Sequence, residues 1–169
     1  MRSIEHGNLI DAPTAALMAE RGAVAVPTLI TYEALARDGL RLGLGAESVA
    51  KVEQVRAAGL SSLEVFKAAG VKLAFGTDLL GGSHDLQSEE FLIRAQVQSN
   101  LEVLQSATLI GAELLGQADR LGEIAPGACA DLLLVDGNPL DDLACLTGQG
   151  ERIPLVMQGG LVRFNELPT

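Results

Sequence analysis

The sequence predicts an α/β fold of parallel strands joined by helical crossovers, followed by a small β piece. Three observations carry this. Short segments rich in Val, Ile and Leu end in polar turns, helix-period segments lie between them, and beyond Gly122 turn-forming residues surround one apolar strand and a hairpin.

The first strand is RSIEHG, near residues 2–5, which delivers His6 into a turn. Asp11 as a cap, Pro13 in the first turn and Gly22 as a stop then mark a helix of about two turns. AVAVPTLI holds the second strand, near 23–27, with its proline at the strand end. In AESVAKVEQVRAAGLSSLEVFKAAG, the residues Val49, Val52, Val55, Leu60, Leu63 and Phe66 recur every three to five positions, which predicts one long helix closed by Gly70. VKLAFGTD is a third strand near 71–76 that runs into Asp78, and LLGGSHDLQ reads as a glycine-containing loop. Residues 88–116 are helical in pattern, with breaks at Ser99 and Thr108. Strands and helices thus alternate, so the three strands are expected parallel, adjacent and joined by right-handed crossovers. DLLLVD and the hairpin IPLVMQGGLVRF, at about 153–164 with Gly159 and Gly160 in a two-residue turn, close the chain.

Composition narrows the function. The chain has 169 residues, 48% apolar and 20% charged, which is enough for a packed core. Its 22 acidic against 12 basic residues give a formal charge of −10, which argues against nucleic acid and anionic membrane as partners. The longest apolar runs fall well short of the roughly 20 residues that a membrane span needs. MRSIEHGNLI lacks the apolar stretch of a secretory signal, so a cytoplasmic location is expected. Cys129 and Cys145 form no C-x-x-C arrangement and read as ordinary reduced thiols.

His6 and Asp78 are the residues with chemical promise. Alone, each is weak: a histidine beside a glycine is more often a hydrogen-bonded structural residue, and an aspartate in GTD is often a cap. Their shared context raises both, because each follows an apolar strand of the same parallel set. The two should therefore open on one face. A neutral imidazole and a carboxylate suit zinc or a similar divalent metal, and the carboxylate can also take a proton from water. Catalytic metals normally take three or more protein ligands. The one other histidine, His84, lies in the loop after Asp78, where substrate contact and plain solvation are equally good readings.

RSIEHG, VPTLITYEAL, GVKLAFGTDLLGGSH, QSEEF, LGEIAPGACADLLLVDGNPLDDL and MQGGLV, taken in order, resemble the C-terminal part of the metal-dependent amidohydrolase superfamily. The nearest branch is the imidazolonepropionase-like enzymes that include Xaa-Pro dipeptidases. The resemblance implies the C-terminal part of a (β/α)8 TIM-like barrel, strands six to eight, over residues 1–118, and part of a small β-sandwich domain over 119–169. It implies that His6 is a ligand of the second metal of a binuclear centre, and that Asp78 binds the first metal and is the general base. It implies a small amide or dipeptide as substrate and zinc as the metal; His84 and Tyr32 are candidate substrate contacts by their positions in the sequence.

The family's His-x-His pair, its strand-four bridging lysine and its strand-five histidine all lie upstream of the segment that this chain matches. Gly111 stands where the family pattern has Asn. The family pattern reads GVRSIEHG, so Met1 takes the place of a valine, as a GTG initiator codon would give. The expectation is a late-started or truncated product, or a fragment of a longer reading frame, inactive by itself. Two readings compete with the hydrolase. One is a non-catalytic remnant or complementation module that associates through exposed strand edges. The other is an unrelated α/β binding domain in which His6 and Asp78 are caps.

Overall fold

The computed structural model describes residues 2–167, so Met1, read above as standing for a valine, lies outside the described residues. The sequence alternates as expected: β1 (Ser3–Glu5), α1 (Ala12–Glu20), β2 (Val24–Val26), then a helical stretch before the next extended segment. β1 and β2 pair in parallel, Ser3 with Val24 through Glu5 with Val26. Alternate residues of β2 bond to opposite neighbours. His6 N–H donates to the Val26 carbonyl at 3.0 Å on one side, while Ala25 exchanges bonds of 2.9 Å with the Lys72 carbonyl and the Ala74 N–H on the other. β2 is therefore the central strand.

The third strand is shorter than the sequence suggested. It is a single parallel bridge, Ala25 to Leu73, because the next bond would need an N–H from Pro27, which has none, and the Ala74 carbonyl is taken by Arg94 instead. The second strand also ends early. Leu29 and Ile30 of AVAVPTLI open a helix, α2 (Leu29–Asp38), with Thr28 at its N-cap.

The long helix expected over 46–70 is two, α3 (Ala46–Ala57) and α4 (Gly59–Ala68), which meet at Ala58. The reason lies in burial. α3 buries no residue, whereas α4 buries Gly59, Ser62, Leu63 and Phe66, and one straight axis does not serve both. Leu63 and Phe66 pack with Ala15 and Met18 of α1, Ala25, Leu29 and Leu73. The opposite face of β2, Val24 and Val26, meets Ala74 and the side chains of Ile110 and Leu114.

Residues Gly81–Glu89, with 81–87 read above as a loop, wind as 3₁₀ turns into α5 (Glu90–Arg94). Breaks fall where expected. Ser99 caps α6 (Asn100–Ala107) in a reciprocal box with Glu102, and Thr108 separates it from α7 (Leu109–Leu114). The C-terminal piece is a three-stranded antiparallel sheet of β3 (Leu132–Leu134), β4 (Leu155–Gln158) and β5 (Leu161–Asn165), in that order. Gly159 and Gly160 turn the hairpin with φ of 56° and 78°, a pair of positive values that suits glycine.

An ion pair lies at the centre. Glu90 and Arg94, both fully buried, meet at 2.8 Å. Arg94 also donates to the carbonyls of Pro27 at 2.6 Å and Ala74 at 3.0 Å, and Glu90 accepts from Ile30 N–H at 2.7 Å. Burial pushes the Glu90 carboxyl above its usual range, against the pull of the Arg94 guanidinium.

Removing one partner strands the other charge in the core. Glu90→Gln or Arg94→Met should cost about 3–5 kcal/mol in urea unfolding, and the double change Glu90→Leu/Arg94→Met should recover only part of that, because the Ile30 N–H and the Pro27 and Ala74 carbonyls lose their partners. Glu102 carries the opposite pH signature. Lys67, then the Ser99 backbone, hold its carboxyl below the usual value. That contribution is present above about 4.3, the ordinary glutamate pKa, and is lost as pH falls through the lowered one. Glu102→Gln should flatten this part of the acid side of the stability profile.

Candidate metal and substrate site

His6 and Asp78 both end extended segments of the parallel set, and both leave it through left-handed backbone, with φ of 63° and 48°. Non-glycine residues seldom adopt this conformation, and it concentrates at sites where side-chain placement matters. The turns bring the side chains to one opening, with His6 Nε2 and Asp78 Oδ2 3.9 Å apart. That is too long for a hydrogen bond, so neither group is consumed by the other. The side chains are 42% and 57% exposed.

Surrounding residues hold this arrangement. His6 Nδ1 and Thr28 Oγ1 hydrogen-bond at 2.8 Å, and Thr31 Oγ1 donates to the Asp78 carbonyl at 2.9 Å. The Tyr32 ring meets the His6 ring edge-on at 6.3 Å. Burial, and then the Asp78 charge, push the Tyr32 phenol above its usual pKa, so it remains a donor at neutral pH. Tyr32 also lines a cleft of about 580 Å³ with Asn8, Glu33, Arg56, Leu60 and Ile93. The volume suits a small molecule.

The structure thus brings together His6, Asp78 and Tyr32. His84 is exposed in the 3₁₀ stretch and takes no part in the contacts around His6 and Asp78. Cys129 and Cys145 are free thiols, half-buried and buried.

The donor set suits a divalent metal in kind: one imidazole nitrogen and one carboxylate, close together and not bonded to each other. It is short in number. Among the described residues no group of three or more His, Cys, Asp and Glu could hold a metal ion. His6 and Asp78 are therefore suited to be part of a ligand set.

Four residues that matter here escaped the sequence reading. Thr28 and Thr31 lie just beyond the strand read over 23–27, with nothing in their spacing to mark a partner, and Glu90 and Arg94 carried only the four-residue spacing of a helical pair, which looks the same on a solvated face.

Relatives extend these observations. The pattern of the amidohydrolase family matches residues 1–162. A solved amidohydrolase superposes with a TM-score of 0.97 at 59% identity, over 99% of this chain and 41% of its own. A prolidase solved with N-methylphosphonate-L-proline gives 0.95 at 51% identity, over 98% of this chain and 41% of that one. Ochratoxinase of Aspergillus niger is 31% identical over 144 residues, 84% of this chain and 30% of the relative. This chain spans well under half of each.

Gly7 supplies a direct probe of the turn after His6. Its φ is +73°, and an added Cβ would lie 2.8 Å from Phe66 Cζ. Gly7→Ala should destabilise the fold by about 1–2 kcal/mol from the backbone term alone. The change should also move the His6 ring resonances in NMR spectra.

Proposed function

The chain belongs to the amidohydrolase family, and from that premise we propose that it carries one part of the active site of a metal-dependent hydrolase of C–N bonds. In this reading β1, β2 and residues 72–74 are strands six to eight of a (β/α)8 barrel. Residues 1–118 are the barrel part and 119–169 part of a β-sandwich. The observation that carries the reading is the convergence of His6 and Asp78 at 3.9 Å, each through left-handed backbone at the end of neighbouring parallel segments. Strand ends of this kind are where barrel enzymes place their chemistry.

His6 and Asp78 would hold a divalent metal, zinc by donor chemistry, in a binuclear set completed by residues outside this chain. When bound, such a metal lowers the pKa of water and polarises a carbonyl. The protein's own groups do the rest. Asp78, exposed at the opening, accepts a proton from the attacking water and passes it to the leaving nitrogen. Tyr32, held protonated, offers its hydroxyl to the substrate.

The substrate class is a small amide, cyclic amide or dipeptide. The support is the 51%-identical prolidase with its proline phosphonate and the more distant ochratoxinase. The charge of −10 disfavours nucleic acid, and no described helix is long and apolar enough to cross a membrane. A cytoplasmic location completes the reading.

The two-donor set also favours a second reading, a module that works only when joined to another polypeptide. The outer edge of β1 is unpaired among the described residues and would be the seam.

One experiment addresses both. The 169-residue chain by itself should bind zinc weakly and leave Xaa-Pro dipeptides and N-acyl amino acids intact. Joined to the remaining portion of the 59%-identical amidohydrolase, or co-expressed with it, the chain should hydrolyse one of these substrates. Asp78→Asn in that protein should lower kcat by about 100-fold or more without changing its circular dichroism. Vigorous hydrolysis by the short chain would overturn the assignment of a partial site. A folded, zinc-loaded fusion that hydrolyses nothing would leave only the module.

A further inference from the structure

Thr28 occupies the N-cap of α2, where a threonine hydroxyl ordinarily accepts a hydrogen bond from an N–H of the first helical turn. Here it makes no such bond. The Ile30 N–H is taken instead by the buried Glu90 carboxylate at 2.7 Å, and the Thr28 hydroxyl is directed to His6 Nδ1 at 2.8 Å. One helical turn later, Thr31 spends its hydroxyl on the carbonyl of Asp78. Both threonines are 4% exposed. Each therefore gives its buried hydroxyl to a residue whose backbone is left-handed.

We propose that Thr28 and Thr31 are the positioning residues of this site, Thr28 committing His6 to offer Nε2 at the opening and Thr31 fixing Asp78 opposite it. This rests on the reading of His6 and Asp78 as metal donors. The two ring nitrogens of His6 have separate duties. Nδ1 faces the Thr28 hydroxyl, while Nε2 is the atom 3.9 Å from Asp78. When Nε2 gives its lone pair to a cation, the ring proton must sit on Nδ1, and a hydroxyl can accept it there. Because both threonines stand on one helix start, clamped by Glu90 and Arg94, the spacing of His6 and Asp78 is set by a single rigid element.

The test follows zinc binding and ¹⁵N spectra of the histidine rings, in the 169-residue chain and in parallel in its fusion to the remaining portion of the 59%-identical relative. In the zinc-loaded fusion His6 should carry its proton on Nδ1 and bind through Nε2. Thr28→Val and Thr31→Val should each weaken zinc binding about 10- to 100-fold. Thr28→Ser and Thr31→Ser should restore it, and amide exchange in the first turn of α2 should not change. His84, exposed, serves as the internal reference ring.

Coordination through Nδ1, or valine variants with unaltered affinity, would overturn the inference. So would affinity loss that only tracks fraying of α2, since the hydroxyls would then be caps. A fusion that binds no zinc removes both the inference and the hydrolase reading. A fusion with the expected spectra and affinities but no hydrolysis removes the hydrolase reading alone.

Discussion

The buried pair of Glu90 and Arg94 is the constraint on which the rest of this structure depends. A guanidinium and a carboxylate with no solvent contact are tolerated only if their hydrogen-bonding capacity is largely used. Arg94 uses its own on Glu90 and on the carbonyls that follow β2 and precede Phe75, and its guanidinium carbon lies 5.1 Å from the centre of the Phe75 ring. Glu90 uses its second oxygen to cap α2. Three chain segments far apart in sequence are thereby fixed to one another where β2 ends. One nitrogen, Arg94 Nη1, is buried without a partner among the described residues, so the pair is held by geometry that is good but incomplete.

That clamp explains why the opening beside it can carry strain. Left-handed backbone at His6 and Asp78 is unfavourable for residues with a Cβ, and it persists only where the surroundings over-determine it. Here they do. Phe66 closes over Gly7, Thr28 and Thr31 hold the two turns, and α2 cannot shift because its first turn is bonded to Glu90.

How much of this could be read from the residues depends on the range of each interaction. Short-range chemistry was legible: the Asp11 cap, the Ser99 break and the Gly159–Gly160 turn all arise from neighbours in sequence, and all stand where expected. His6 and Asp78 were legible because strand ends in a parallel set share a side. What escaped depended on long-range partners. The split at Ala58 follows from what α4 can bury, and the burial of Glu90 and Arg94 from segments about sixty residues away, such as the bond between Ile30 and Glu90. Periodicity reports neither the depth of a face nor the partner of a buried charge.

α3 was described above as a helix that buries nothing. It is attached through few bonds: Asn8 donates to the Val55 carbonyl at 3.2 Å, and Arg56 reaches Glu33 at 3.1 Å in an exposed ion pair. Its Val49, Val52 and Val55 are only half-buried and the ion pair is screened by water and salt, so lifting this element costs less than global unfolding. Arg56 and Ala57 also line the cleft beside Tyr32. The cleft is thus bounded by α3, whose residues are nowhere fully buried, and by α2, anchored at its first turn by Glu90. Any widening of the cleft is borne by the first wall and not by the second.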